Sequence, residues 1–236
     1  MINYDLMKQE LNNMGVELDG YGLDRFDAYA ERLVRWNNHV NLTAITEPDD
    51  IAIKHFVDCL SIMKYVKFNK GDKVVDVGTG AGFPGLPLLI ANPDIDVNFV
   101  DSVGKKLGFI KDVMRNNGLV ANVTHKRAED MGKDGNYRES YDYAVSRAVA
   151  PLNILCEYCL PLVKVGGYFI AMKGAAAEQE LADAANAIHT LGGVLEKIDS
   201  FKLSTGDSRA IIIIKKISQT PTKYPRKSKK IDSRPL

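Results

Sequence analysis

Cysteine is scarce in this chain of 236 residues, and three thiols, an odd number, provide no disulfide framework. The only close pair, Cys156 and Cys159 in CEYC, lies inside the apolar, helix-like run PLNILCEYCLPL, where packing rather than redox chemistry is the expected role. The four histidines, at positions 39, 55, 125 and 189, show no ligand spacing with one another or with the cysteines, so no metal is expected. No stretch approaches the ~18 consecutive apolar residues of a membrane span. The start, MINYDLMKQELNN, lacks the charged and apolar regions of a signal peptide, so a cytoplasmic protein without a membrane partner is expected.

Net charge is also small, +1, but it is unevenly distributed. Residues 215–236 hold eight Lys and Arg against one Asp, which leaves the end of the chain at +7 and residues 1–214 at −6. A basic tail on an acidic body suits a polyanionic partner, and Pro221, Pro225, Pro235 and Tyr224 stiffen the tail and add a stacking face. Removing residues 219–236 takes no apolar strand away, so folding is expected to survive it.

The organisation follows from hydrophobic periodicity. Residues 1–70 read as a helical cap: Phe26, Tyr29, Leu33, Trp36 and Val40 recur at spacings of three and four, and IAIKHFVDCLSIMKYV follows Pro48 and two aspartates. From residue 71 to 217 strand-like runs alternate with helix-length segments: KVVDVG, VNFVDS, NVTHKR, YDYAVSRA and GGYFIAMKG. Such alternation implies right-handed crossovers and a parallel sheet. VLEKIDSFKLS and RAIIIIKKI are joined by a short loop that permits only an antiparallel hairpin. The expected fold is α/β, with a seven-stranded, mostly parallel sheet, one antiparallel strand, an N-terminal cap and a basic tail over 218–236.

The densest signal is VVDVGTGAGFPG, residues 74–85, in which a β-branched run ends in glycines at 78, 80, 82 and 85. GAGFPG satisfies G-x-G-x-x-G, a weak indicator of a dinucleotide on its own. Four glycines in eight residues are more than a strand-to-helix turn needs. Asp76 stands two positions before the first glycine, where an anion would repel a diphosphate and favour a cationic ligand such as S-adenosylmethionine.

In an open parallel sheet the ligand lies beyond the carboxyl ends of the strands, so strand ends are candidate contacts. Asp101 is placed to accept from both ribose hydroxyls, and Ala128, Glu129 and Asp130 can offer an N–H and a carboxylate to an adenine edge. Ser146-Arg147-Ala148 ends the fourth strand. Helix capping by Asp101 or Glu129, and simple charge neutralisation by Arg147, are the weaker readings.

These residues lie in ordered motifs: WNNHVNLTAI (36–45), HFVDCLS (55–61), VVDVGTGAGFPGLPL (74–88), VDSVGKK (100–106), HKRAED (125–130), VSRAVAPL (145–152) and PTKYPRKSKKIDSRPL. Together they resemble the bacterial small-subunit ribosomal RNA guanine-N7 methyltransferases, the glucose-inhibited division protein B family, over nearly the whole chain. The resemblance implies a Rossmann-like class I methyltransferase fold, S-adenosylmethionine as cofactor, and 16S ribosomal RNA or an assembling small subunit as partner. It implies donor contacts from Gly78, Phe83, Ala128, Glu129 and Arg147, with Asp76 as the charge beside the cationic donor and Asp101 at the ribose; Gly80 and Gly82 are expected donor contacts as members of the glycine loop. Cys59 stands where the family usually has serine, and PRKSKK replaces a proline-glycine pattern.

Neither an Asn/Asp-Pro-Pro-aromatic signature for amine methylation nor a cysteine nucleophile for carbon methylation is present. Guanine N7 carries a lone pair and no proton, so positioning without a general base suffices. No catalytic residue is assigned. Lys223, Arg226, Lys227, Lys229 and Lys230 are the expected RNA contacts, followed by Lys105, Lys106, Lys126, Arg127 and Lys173. Asn41, Thr43, His55 and Phe56 are candidates for the target-base pocket, Phe56 being the better fit to a core. A nicotinamide-dependent dehydrogenase and a non-catalytic RNA-assembly protein are the competing readings; stabilisation by S-adenosylmethionine against NAD separates them.

Overall fold

The computed structural model describes residues 2–18 and 20–236. Seven strands form one sheet: β1 (Lys73–Val77), β2 (Asp96–Asp101), β3 (Asn122–His125), β4 (Tyr141–Arg147), β5 (Val163–Lys173), β6 (Gly193–Lys202) and β7 (Ser208–Lys216). Their order is β3-β2-β1-β4-β5-β7-β6, parallel except for β7, which runs antiparallel to both neighbours. The β6–β7 pair is the hairpin its short loop requires. Four successive isoleucines, Ile211 to Ile214, are buried in β7 because this strand is flanked on both sides and packed on both faces.

Two helices, α1 (Tyr4–Asn13) and α2 (Gly20–Asn37), precede a helical run of α3 (Pro48–Ile51), a π-turn (Ala52–Val57), α4 (Asp58–Leu60) and a 3₁₀ turn (Ser61–Lys64). Helix α2 stops earlier than the periodicity suggests, because the Asn37 side chain accepts from the backbone N–H groups of Leu42 and Thr43 and folds the chain into a loop. Between strands lie α5 (Gly85–Ala91), α6 (Gly104–Asn117), α7 (Ala128–Met131), α8 (Leu152–Cys159), α9 (Ala177–Asp183) and α10 (Ala185–Thr190), with α11 (Ser228–Ser233) at the end.

Strand alternation divides the core. Val74, Phe99, Ile170 and Ile213 face the cap, packing with Phe26, Tyr29, Leu33 and Phe56. Val75, Val77, Phe169, Ile212 and Ile214 face the other way, with Cys156 and Cys159 among them. Burial raises both thiols' pKa values, as inert packing residues require.

The tail departs from the sequence expectation. Residues 218–236 dock on the second face: Tyr224 and Ile231 are buried there, and Arg138 donates to the carbonyls of Thr220 and Tyr224. Lys216, fully buried, donates to Leu160 O and Thr220 Oγ1 at 2.6 Å and pairs with Glu139 at 3.1 Å. Burial lowers its pKa to about 8, with Glu139 opposing the shift. Removing 219–236 would uncover these groups, so the tail is part of the fold and not an appendage.

Candidate functional site

The strand order reverses between β1 and β4, and the crevice beyond their carboxyl ends is where an open α/β sheet places ligands. Ser146 Oγ on β4 closes the base of that crevice by donating to Val77 O on β1 at 2.9 Å.

Asp76 does not reach the crevice. It is fully buried, and its Oδ2 accepts from Thr79 Oγ1 at 2.6 Å and from the Gly85 N–H at 2.9 Å. A Cβ on Gly85 would sit 2.7 Å from that oxygen, so the glycine permits the contact. Burial raises the Asp76 pKa to about 7, against the lowering effect of those two hydrogen bonds. The carboxylate staples the glycine loop to the start of α5 instead of meeting a cationic ligand. Its alternation along β1 explains this: it shares the cap-facing side with Val74.

Two cavities open along the crevice. The smaller, about 310 Å³, brings together Gly78, Asp101, Ala128 and Glu129, as the sequence suggests, with Val103, Lys106, Lys126, Arg127, Val149 and Tyr158. Asp101 is buried, and its two oxygens accept from the backbone N–H groups of Gly80 (3.0 Å) and Val103 (2.8 Å). Each oxygen keeps lone-pair capacity for a further donor. Gly78 has φ +69°, and a Cβ there would lie 2.5 Å from a Val149 methyl, so only glycine fits between the β1 turn and the loop after β4. Gly80 acts through its bond to Asp101, and Gly82 packs against Leu86 behind the loop.

Arg147 and Phe83 do not join that group. Arg147 lines the larger neighbouring cavity, about 600 Å³, with Ile45, Lys54, His55, Asp58, Lys173, Glu180 and Arg209. The two cavities share Ala148 and Val149. Arg147 is held by Asp58 (2.9 Å), Lys54 O (3.1 Å) and His55 Nδ1 (3.0 Å), and its guanidinium lies 4.5 Å from the Phe83 ring centre. Phe83 lies beneath it, stacked on His55 and Tyr29. Arg209 reaches the other Asp58 oxygen at 3.3 Å.

His55 Nδ1 lies 3.0 Å from Arg147 Nη2, which can only donate, and 3.2 Å from Lys54 O, which can only accept, while Nε2 lies 2.8 Å from Thr43 Oγ1. The shorter Arg147 contact favours the tautomer in which Nδ1 accepts and Nε2–H donates. Burial, then the Arg147 charge, lowers the His55 pKa to about 3. Thr43 in turn accepts from the Ile45 N–H and orders the loop after α2. Of the base-pocket candidates, His55 lines the cavity, Thr43 supports it, Phe56 is core, and Asn41 is exposed outside both cavities. Asp58 and Arg209 were not singled out from sequence, although Asp58 stands inside the HFVDCLS motif.

In the tail, Lys223, Lys227, Lys229 and Lys230 are exposed. Arg226 is not available in that way: its guanidinium and backbone N–H together grip the buried Glu157, with a 2.6 Å ion pair. A buried carboxylate demands such a partner. Of the second group of cations, Lys106, Lys126 and Arg127 line the smaller cavity, Lys173 is paired with Glu180 in the larger, and Lys105 is exposed outside both. Among the described residues no three His, Cys, Asp or Glu side chains gather as metal ligands would, and no helix is long and apolar enough to cross a membrane.

Residues 23–212 match the model of a family described as rRNA small subunit methyltransferase G. Similar proteins named ribosomal RNA small subunit methyltransferase G include one from Alkaliphilus oremlandii, 46% identical over 98% of both chains. Another, from Acetivibrio thermocellus, is 47% identical over 98% of this chain and 96% of its own. Among solved structures, TrmN from Thermus thermophilus aligns with TM-score 0.54 at 17% identity, covering 68% of this chain and 48% of that one. The [4+2]-cyclase SpnF aligns equally well, 0.54 at 14% identity, over 69% and 82%. These structural likenesses show the fold alone.

Proposed function

The chain belongs to the rRNA small subunit methyltransferase G family, and from that premise we propose that it transfers a methyl group from S-adenosylmethionine to N7 of a guanosine in 16S ribosomal RNA. It is a methyltransferase of ribosomal RNA. Its substrate is the RNA itself or the assembling small subunit, met in the cytoplasm. Family membership disfavours both the dehydrogenase and the non-catalytic reading.

The observation that carries the proposal is Asp101. Its carboxylate is held by two backbone N–H groups on the wall of a cavity that also contains Gly78, Ala128 and Glu129. Those residues fit an adenosine: Asp101 has acceptor capacity for ribose hydroxyls, and Gly78 leaves room for close approach. When bound, S-adenosylmethionine supplies an electrophilic methyl on a sulfonium. Asp76 shapes the loop from behind, and Arg147, backed by the Phe83 ring, lines the adjoining cavity, where the target base is received.

Among the described residues of that adjoining cavity, each candidate proton acceptor is already engaged, Glu180 by Lys173 and the Leu152 N–H. His55 is neutral with both ring nitrogens engaged, and Asp58 is committed to two arginines. Attack by guanine N7 needs none, so the residues here orient the base and exclude water. The test is to incubate the protein with small-subunit RNA, or with the subunit itself, and labelled donor, then digest the RNA to nucleosides. Label in 7-methylguanosine is expected; label in another nucleoside would overturn the assignment to N7.

A further inference from the structure

The smaller cavity has two walls that strands alone do not secure: the segment from Arg127 through α7, which carries Ala128 and Glu129, and the end of α8, which carries Tyr158. Both are fastened to the C-terminal segment. Tyr158 OH donates to Asp232 Oδ1 on α11 at 3.2 Å. Its neighbour on α8, Glu157, is the buried carboxylate gripped by Arg226. On the other wall, Gly132 follows α7 directly, and a Cβ there would lie 2.9 Å from the Pro225 ring. Arg138 ties the same segment to the tail, donating to Gly132 O as well as to the carbonyls of Thr220 and Tyr224. Arg127 lines the cavity and also a shallow groove formed with Ser228, Lys229, Asp232 and Ser233.

We propose that the C-terminal segment is a working part of the donor site: residues 220–233 position Tyr158 and the Arg127–Gly132 wall for the adenosine end of the methyl donor. Tyr158 lines the site, while Asp232, Arg226 and Gly132 are positioning residues that act through it and through α7. The inference rests on the reading of the smaller cavity as the donor site. Its physical basis is that a wall fixed in advance loses less freedom when the ligand binds. The exposed Lys227, Lys229 and Lys230 lie on or beside the same short helix. RNA contact with them would therefore be felt at the donor.

Steady-state kinetics of the full chain against donor concentration test this, with S-adenosylhomocysteine affinity measured by calorimetry. Tyr158→Phe and Asp232→Ala are each expected to raise the donor KM by about three- to tenfold, the range one hydrogen bond accounts for. The double variant should be no worse than either alone, and kcat at saturating donor should stay near that of the unaltered protein. Gly132 has ordinary helical φ of −66°, so Gly132→Ala adds no backbone strain and acts by pressing on Pro225, at 2.9 Å, and on Pro161, at 3.2 Å. It should raise KM in the same way, and if it fails to fold, the other two variants decide. Unchanged donor KM in the folded variants, or a fall in kcat at constant KM, would overturn the proposal. An unaltered protein that binds no donor would instead defeat the function proposed above.

Discussion

The two cavities along the crevice are built from different material. The smaller has a main-chain floor, a glycine turn and a carboxylate held by two backbone N–H groups, with side chains such as Lys106 and Tyr158 around it. The larger is defined by side chains, in a series of contacts from Thr43 through His55 and Arg147 to Asp58 and Arg209 that joins the cap to β4 and β7. A donor common to many enzymes can be received by backbone geometry. The cavity assigned to the RNA base is shaped by residues that only this arrangement of cap and sheet brings together.

The contrast breaks most severely at Asp58. Asp58→Ala leaves Arg147 and Arg209 around a hole with no counter-charge, and removing one partner of a buried pair costs about 3 to 5 kcal/mol. Urea unfolding should show that loss, and a change below about 1 kcal/mol would mean that water already screens the pair. Asp101→Ala is next. It removes a charged acceptor from the smaller cavity and should weaken S-adenosylmethionine by roughly 2 to 4 kcal/mol in calorimetry while the protein stays folded. Unchanged donor affinity would remove Asp101 from the site.

His55 sharpens the comparison through pH. Its folded pKa of about 3 lies below the ordinary 6.5, so between those values the unfolded chain binds more protons and stability rises with pH. His55→Gln should lose up to about 1.4 kcal/mol of that rise per pH unit. Comparing the two proteins cancels the opposing contribution of Asp76, whose pKa is raised. Identical pH dependence of stability in both would show that folding leaves the His55 pKa at its ordinary value. The smallest effect concerns the tail surface. Lys229→Ala with Lys230→Ala should flatten the salt dependence of RNA affinity by roughly 0.7 to 0.9 log units for each phosphate no longer neutralised. Donor affinity measured without RNA should not change.

Much of the architecture is legible because its causes are local. Runs such as KVVDVG and AIIIIKK are β-branched and bounded by turn residues, and the short polar loop before Arg209 allows only a hairpin. Asp101 is legible because a strand end in a parallel sheet faces the crevice whatever the rest of the chain does. Asp76 misleads for a related reason: two residues before the first glycine, it points into the cap side, and sequence adjacency to the loop conceals that direction.

The composition and spacing of this chain determined the strands, the hairpin, the glycine turn and the place of Asp101 at a strand end, since each depends on neighbours a few residues away. The tertiary structure alone decided that Arg147 meets Asp58 and His55, that Arg226 is spent on Glu157, and that a tail rich in lysine is packed against a wall of the smaller cavity. Those partners are distant in sequence. A buried charge accepts whichever opposite charge the fold carries to it, and no local pattern records which one that is.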